Sequence, residues 1–128
     1  MDPISNMIIM IKNASLAGKE TVSFPYSKMK EAISECLKKE GYIFDFSKKT
    51  KKGTPMLEVK LMYKDNKPKV AQVERISKKS KRVYFGVKDL FPIRNGFGIL
   101  VLSTPKGILS GKEAKKEQVG GEALFKMW

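Results

Sequence analysis

The sequence predicts an α+β protein in two parts. Residues 1–64 form a small α/β N-terminal domain, two helices on a three-stranded sheet, and residues 69–128 a mainly β C-terminal domain with one short helix. Three observations lead there. Apolar residues recur twice at helical spacing before Gly41, and apolar and polar residues alternate in the strands that follow. The run Lys64-Asp65-Asn66-Lys67-Pro68-Lys69 is polar, contains a proline and has no apolar period, which marks a seam.

The first helix is capped by Asp2, with Pro3 in the first turn, where its missing N–H is not needed. Ile4, Met7, Ile8, Ile11 and Ala14 form its apolar stripe and Gly18 stops it. Thr21 to Phe24 is a short strand broken by Pro25. Ser27 caps a second helix with Met29, Ala32, Ile33, Cys36 and Leu37 on one face and mostly charged residues on the other. Cys36, on the apolar stripe, reads as a small core residue. After Gly41, Tyr42, Phe44 and Phe46 alternate in one strand, and Leu57, Val59, Leu61 and Tyr63 in the next. Lys48, Lys49, Lys51 and Lys52 make the hairpin tip between them cationic.

Beyond the seam, Val70 to Ser77 and Arg82 to Phe85 read as strands. Phe91-Pro92 and Asn95-Gly96 punctuate the approach to an apolar strand over 97–102. Ser110 to Gln118 reads as a short helix and Ala123 to Trp128 as a last strand, with Trp128 as packed core.

Charge bounds the function. Lys and Arg number 26 against 13 Asp and Glu, a net charge of +13 on 128 residues. The excess is even: +6 over residues 1–72 and +7 over 73–128. A body basic throughout attracts polyanions and releases their counterions. No segment reaches the roughly 20 apolar residues of a transmembrane helix, and no basic region precedes the first apolar stretch, so neither a membrane nor secretion is expected. With no His and a single Cys, zinc sites and His-based acid–base chemistry lack their parts. The carboxylates are scattered, and Gly96-Phe97-Gly98 lacks the third glycine of a dinucleotide fingerprint. The reading is a binder, not an enzyme, with no cofactor or metal.

Three stretches are candidates for contact. Ser103-Thr104-Pro105-Lys106-Gly107 follows the apolar strand and presents hydroxyls, a cation and a glycine at a turn. Hydroxyls bond base edges and 2′-OH groups, lysine meets phosphate, and glycine lets a backbone approach. The same residues also suit an ordinary hairpin. Lys78, Lys79, Lys81 and Arg82 run directly into Tyr84, an order that suits a phosphate held beside a packed ring; a solvated turn is the plainer alternative. Gly120-Gly121-Glu122 sets a carboxylate beside two glycines in a basic region. Glu122 either pairs with a nearby lysine, fixes the local turn, or accepts from a base amino group.

In order and spacing, these stretches resemble the small-subunit ribosomal proteins of family eight over the whole chain. Asp2-Pro3-Ile4, Ile11-Lys12-Asn13-Ala14, Pro25-Tyr26-Ser27-Lys28, Glu40-Gly41-Tyr42-Ile43 and Arg82-Val83-Tyr84 match. So do Asn95-Gly96-Phe97-Gly98-Ile99, Ser103-Thr104-Pro105-Lys106-Gly107 and Val119-Gly120-Gly121-Glu122. The resemblance implies a cytoplasmic ribosomal protein that binds the central domain of small-subunit ribosomal RNA early in assembly, beside neighbouring small-subunit ribosomal proteins. Some bacterial members also bind their own messenger RNA and repress its translation. It further implies RNA contacts at Ser103, Thr104, Lys106, Gly107, Tyr84, Gly120, Gly121 and Glu122. One position departs: Pro105 stands where the family usually has a second serine. Proline has neither hydroxyl nor N–H, so a contact made through that serine is lost or taken over by a neighbour.

Overall fold

A computed structural model describes residues 2–90 and 98–128. The expected punctuation at Phe91-Pro92 and Asn95-Gly96, and the expected strand start at Phe97, lie outside the described residues. The chain forms two compact units, Met1–Ala71 and Gln72–Trp128. The architecture is α+β with antiparallel sheets.

In the first unit, helix α1 (Pro3–Leu16) starts where the Asp2 carboxylate accepts the Ile4 N–H at 3.0 Å. Met7, Ile8, Ile11 and Ala14 are buried, and Gly18 takes a left-handed φ of 73° just past the end. Strand β1 (Thr21–Pro25) leads to helix α2 (Lys28–Lys39), capped by the Ser27 hydroxyl, which accepts the Lys30 N–H at 3.1 Å. Strands β2 (Ile43–Lys51) and β3 (Thr54–Leu61) complete an antiparallel sheet in the order β1-β3-β2. Leu57, Val59 and Leu61 supply its buried face, and Cys36 is buried as its stripe position requires.

This unit differs from expectation in several details, and Lys48, Lys49 and Lys51, expected at the hairpin tip, lie within β2. Met29 is exposed and Lys30 is buried instead, because the Lys30 ammonium donates to the Pro25 carbonyl at 3.0 Å and lies 5.7 Å from the centre of the Phe24 ring. Phe44 is exposed because the β2–β3 register shifts between Ile43 and Asp45, so the alternation breaks at the bulge. The seam is not featureless: β4 (Tyr63–Lys64) and β5 (Lys67–Pro68) form a hairpin. Its two turn residues, Asp65 and Asn66, hold φ of 54° and 63°, a left-handed pair that Asp and Asn tolerate best among residues with a side chain.

The second unit is built on one sheet. Strand β6 (Val73–Arg75), β7 (Tyr84–Phe85), β8 (Ile99–Thr104), β9 (Gly107–Ser110) and β10 (Gly121–Met127) pair antiparallel in the order β6-β10-β8-β9, with β7 against the start of β10. Helix α3 (Gly111–Lys116) is opened by a capping box between Ser110 and Glu113. Leu90, Leu100, Leu102, Ala114 and Ala123 form a buried core, with Ile76, Val83, Phe85, Leu109, Val119 and Trp128 packed around it. Trp128 is half-buried at this margin.

The strands here are shorter than the apolar pattern indicates, or displaced along the chain. Val70–Ser77 yields only Val73–Arg75. The register of β10 slips between Ala123 and Phe125, and Ile76 and Ser77 bond past the slip to the Leu124 and Ala123 carbonyls. Arg82–Phe85 yields Tyr84–Phe85. In the other direction, β8 runs on through Ser103 and Thr104, which are strand residues and not part of the turn itself. The third helix ends at Lys116, and Gln118 turns left-handed at φ 59°.

Candidate nucleic-acid interface

Residues directly opposite each other in an antiparallel sheet share a face. Glu122 at the start of β10 lies opposite Tyr84 of β7 on one side and Ser103 of β8 on the other. Tyr84, Glu122 and Ser103 therefore form one row across three strands. Leu102 and Ala123, one position along, belong to the core cluster. Tyr84 is 68 % exposed, a large ring area left in solvent. Among the described residues, the hydroxyls of Tyr84 and Ser103 have no hydrogen-bond partner.

Thr104 is different. Its hydroxyl donates to the Gly107 carbonyl at 2.8 Å and accepts the Lys106 N–H at 3.1 Å, so it shapes the turn from within. Pro105 and Lys106 are the tip, and Lys106 faces Glu117 at 3.8 Å, a weak surface pairing. Gly107 adopts φ of 109°, and a Cβ built on it would meet nothing within 4 Å. Glycine is thus required there by backbone conformation, with open space beside it.

Gly120 and Gly121 answer to packing. A Cβ on Gly120 would lie 2.3 Å from the Phe85 carbonyl oxygen, and one on Gly121 would lie 2.1 Å from the Ser103 carbonyl oxygen. The pair lets the backbones of β7 and β8 close on β10 from both sides, which is what brings Tyr84 and Ser103 to Glu122.

The basic run forms a tight turn in which Lys78 and Lys81 exchange backbone hydrogen bonds at 2.9 and 3.0 Å. Lys78, Lys79 and Lys81 are exposed and, among the described residues, have no acidic partner. Arg82 is set apart, because its guanidinium donates to Glu122 Oε2 at 2.9 Å. The same oxygen accepts from the hydroxyl of Ser77, which in turn accepts the Val83 N–H at 3.1 Å. Of the roles open to Glu122, fixing the local structure is the one its contacts show, with Arg82 and not a lysine as its cation. Its carboxyl is held below the usual range, first by the Ser77 hydroxyl and then by Arg82, against the opposing effect of burial.

The sheet brings three of the residues singled out in the sequence, Tyr84, Glu122 and Ser103, into one row, and it adds Ser77, which is fully buried and which sequence reading misses. No local signal marks Ser77, which ends a mixed segment that also holds Gln72, Glu74 and Arg75. Among the described residues no three His, Cys, Asp or Glu side chains come together to hold a metal ion, and no helix is long and apolar enough to cross a membrane.

Fold and surface together define a class: a small, basic, two-unit α+β protein whose five-stranded sheet carries an exposed ring and a hydroxyl that, like the neighbouring lysines, has no partner among the described residues. The family described as Ribosomal protein S8 matches residues 2–128. Proteins named small ribosomal subunit protein uS8 are similar over nearly the full length. That of Caulobacter vibrioides is 44 % identical, covering 99 % of this chain and 97 % of its own. That of Persephonella marina is 47 % identical, covering 99 % and 98 %. That of Rhodopseudomonas palustris is 48 % identical, covering 97 % and 95 %. The chain belongs to the ribosomal protein S8 family, whose members are structural components and not enzymes.

Proposed function

We propose that the protein is a constituent of the small ribosomal subunit that binds small-subunit ribosomal RNA directly through its C-terminal unit. The observation that carries this reading is the row Tyr84–Glu122–Ser103 across three strands, with Lys78, Lys79 and Lys81 on the adjoining turn unpaired among the described residues. Tyr84 packs a ring against a sugar or base, and the Ser103 hydroxyl bonds a base edge or a 2′-OH. The three lysines and Lys106 hold phosphates. Gly107 keeps the tip open to a close strand, while Thr104, Gly120 and Gly121 support the surface from within. Irregular RNA is the fitting target, because side chains cannot read the deep, narrow major groove of regular A-form helix.

The test is a chemical footprint of the purified protein on small-subunit ribosomal RNA, run beside co-sedimentation with ribosomal subunits. A discrete protected site in an irregular helix and recovery with the small subunit are expected. Protection spread without preference, or recovery away from subunits and with messenger RNA only, would replace this reading with that of a free-standing regulator.

A further inference from the structure

Ser77 occupies a place that no RNA contact explains. It is fully buried two residues beyond β6, yet its hydroxyl is doubly used, donating to Glu122 Oε2 and accepting the Val83 N–H at 3.1 Å. Arg82 donates to that same oxygen at 2.9 Å. Both protein donors thus converge on Oε2, and among the described residues Oε1 accepts none. Glu122 keeps 18 % of its side chain exposed, in the row between Tyr84 and Ser103. A carboxylate on a surface suited to phosphates repels them. What it attracts is a donor: the exocyclic amino group of a base or a ribose 2′-hydroxyl.

We propose that Ser77 is a positioning residue for RNA recognition: it clamps Glu122 through Oε2 and the basic turn through Val83, so that Glu122 Oε1 is presented to an amino or hydroxyl donor of the RNA. The proposal rests on the reading above that this face binds RNA. The clamp has two ends for a physical reason. Binding the carboxylate alone would fix its rotamer, whereas holding Val83 as well ties the strand that carries Tyr84 to the same anchor. Ring and carboxylate then keep a fixed separation, which discrimination between RNAs requires.

The test is a double-mutant cycle in the full chain, with small-subunit ribosomal RNA and an unrelated RNA of equal length as probes. Ser77→Ala and Glu122→Gln are each expected to weaken preferred binding about tenfold, the scale of one lost hydrogen bond to a charged group. The dependence on salt should stay unchanged, since no phosphate contact is removed. The double variant should lose little beyond either single one, and Ser77→Thr, which retains the hydroxyl, should recover discrimination. Additive losses, about a hundredfold in the double variant, would make Ser77 a general scaffold residue and overturn the proposal. If Ser77→Ala does not fold, Glu122→Gln decides alone: undiminished discrimination overturns the proposal and a selective loss supports it. A wild-type protein with no preference between the two RNAs would instead overturn the functional reading beneath it.

Discussion

Ser103 and Thr104 are adjacent and chemically alike, but the structure gives them different work. The Ser103 hydroxyl has no partner among the described residues, whereas that of Thr104 makes two bonds inside the turn. Ser103→Ala is therefore expected to reduce preferred RNA binding while leaving the urea midpoint in place. Thr104→Ala should lower stability, by about 1 kcal/mol for the lost turn bonds, and affect binding through a loosened loop. The glycines divide in the same way. Gly120→Ala and Gly121→Ala place a methyl against backbone carbonyls that cannot rotate aside, and should each cost at least about 2 kcal/mol in denaturant titration. Gly107→Ala has room, so only the strain of a positive φ remains, about 1 kcal/mol.

At the scale of elements, the proposed function gives holding to the basic turn and reading to the row of Tyr84, Glu122 and Ser103. Replacing Lys78, Lys79 and Lys81 with alanine should make the slope of log affinity against log salt shallower by roughly two to three units, equally for preferred and unrelated RNA. Arg82 does not belong in that set, because Glu122 already engages it. This division marks the limit of what the sequence shows. Helix caps at Asp2 and Ser27 were legible, because local side chain–backbone chemistry decides them. Phe44 and the length of β6 were not, since bulges in β2–β3 and β10 are settled by pairing between distant strands. The site was legible as a set of stretches whose juxtaposition needed the sheet. The clamp of Ser77 on Glu122 spans 45 positions, and nothing local to either residue announces it.

Over the whole molecule, charge is even but the row of Tyr84, Glu122 and Ser103 is confined to the second unit. A fragment of residues 72–128, once shown to fold, should keep most of the preference for its RNA, and residues 1–71 should bind weakly and with strong salt dependence. Equal preference in both fragments would move recognition elsewhere. Acid should loosen both units. Glu122 is held below its usual range by Ser77, Asp45 by Lys38 and Glu58 by Lys49. A carboxylate whose folded pKa is depressed stabilises above its unfolded value and loses that contribution as pH falls through the folded one. The urea midpoint should therefore hold near neutrality and fall below about pH 4. The most direct test of the account is the ratio of affinities for small-subunit and unrelated RNA, measured for wild type, Ser103→Ala and the triple lysine variant. Ser103→Ala should lower the ratio, while the lysine variant should bind both RNAs more weakly at an unchanged ratio. A ratio that survives in Ser103→Ala and collapses in the lysine variant would make the basic turn the reader and the β8–β9 connection a plain hairpin.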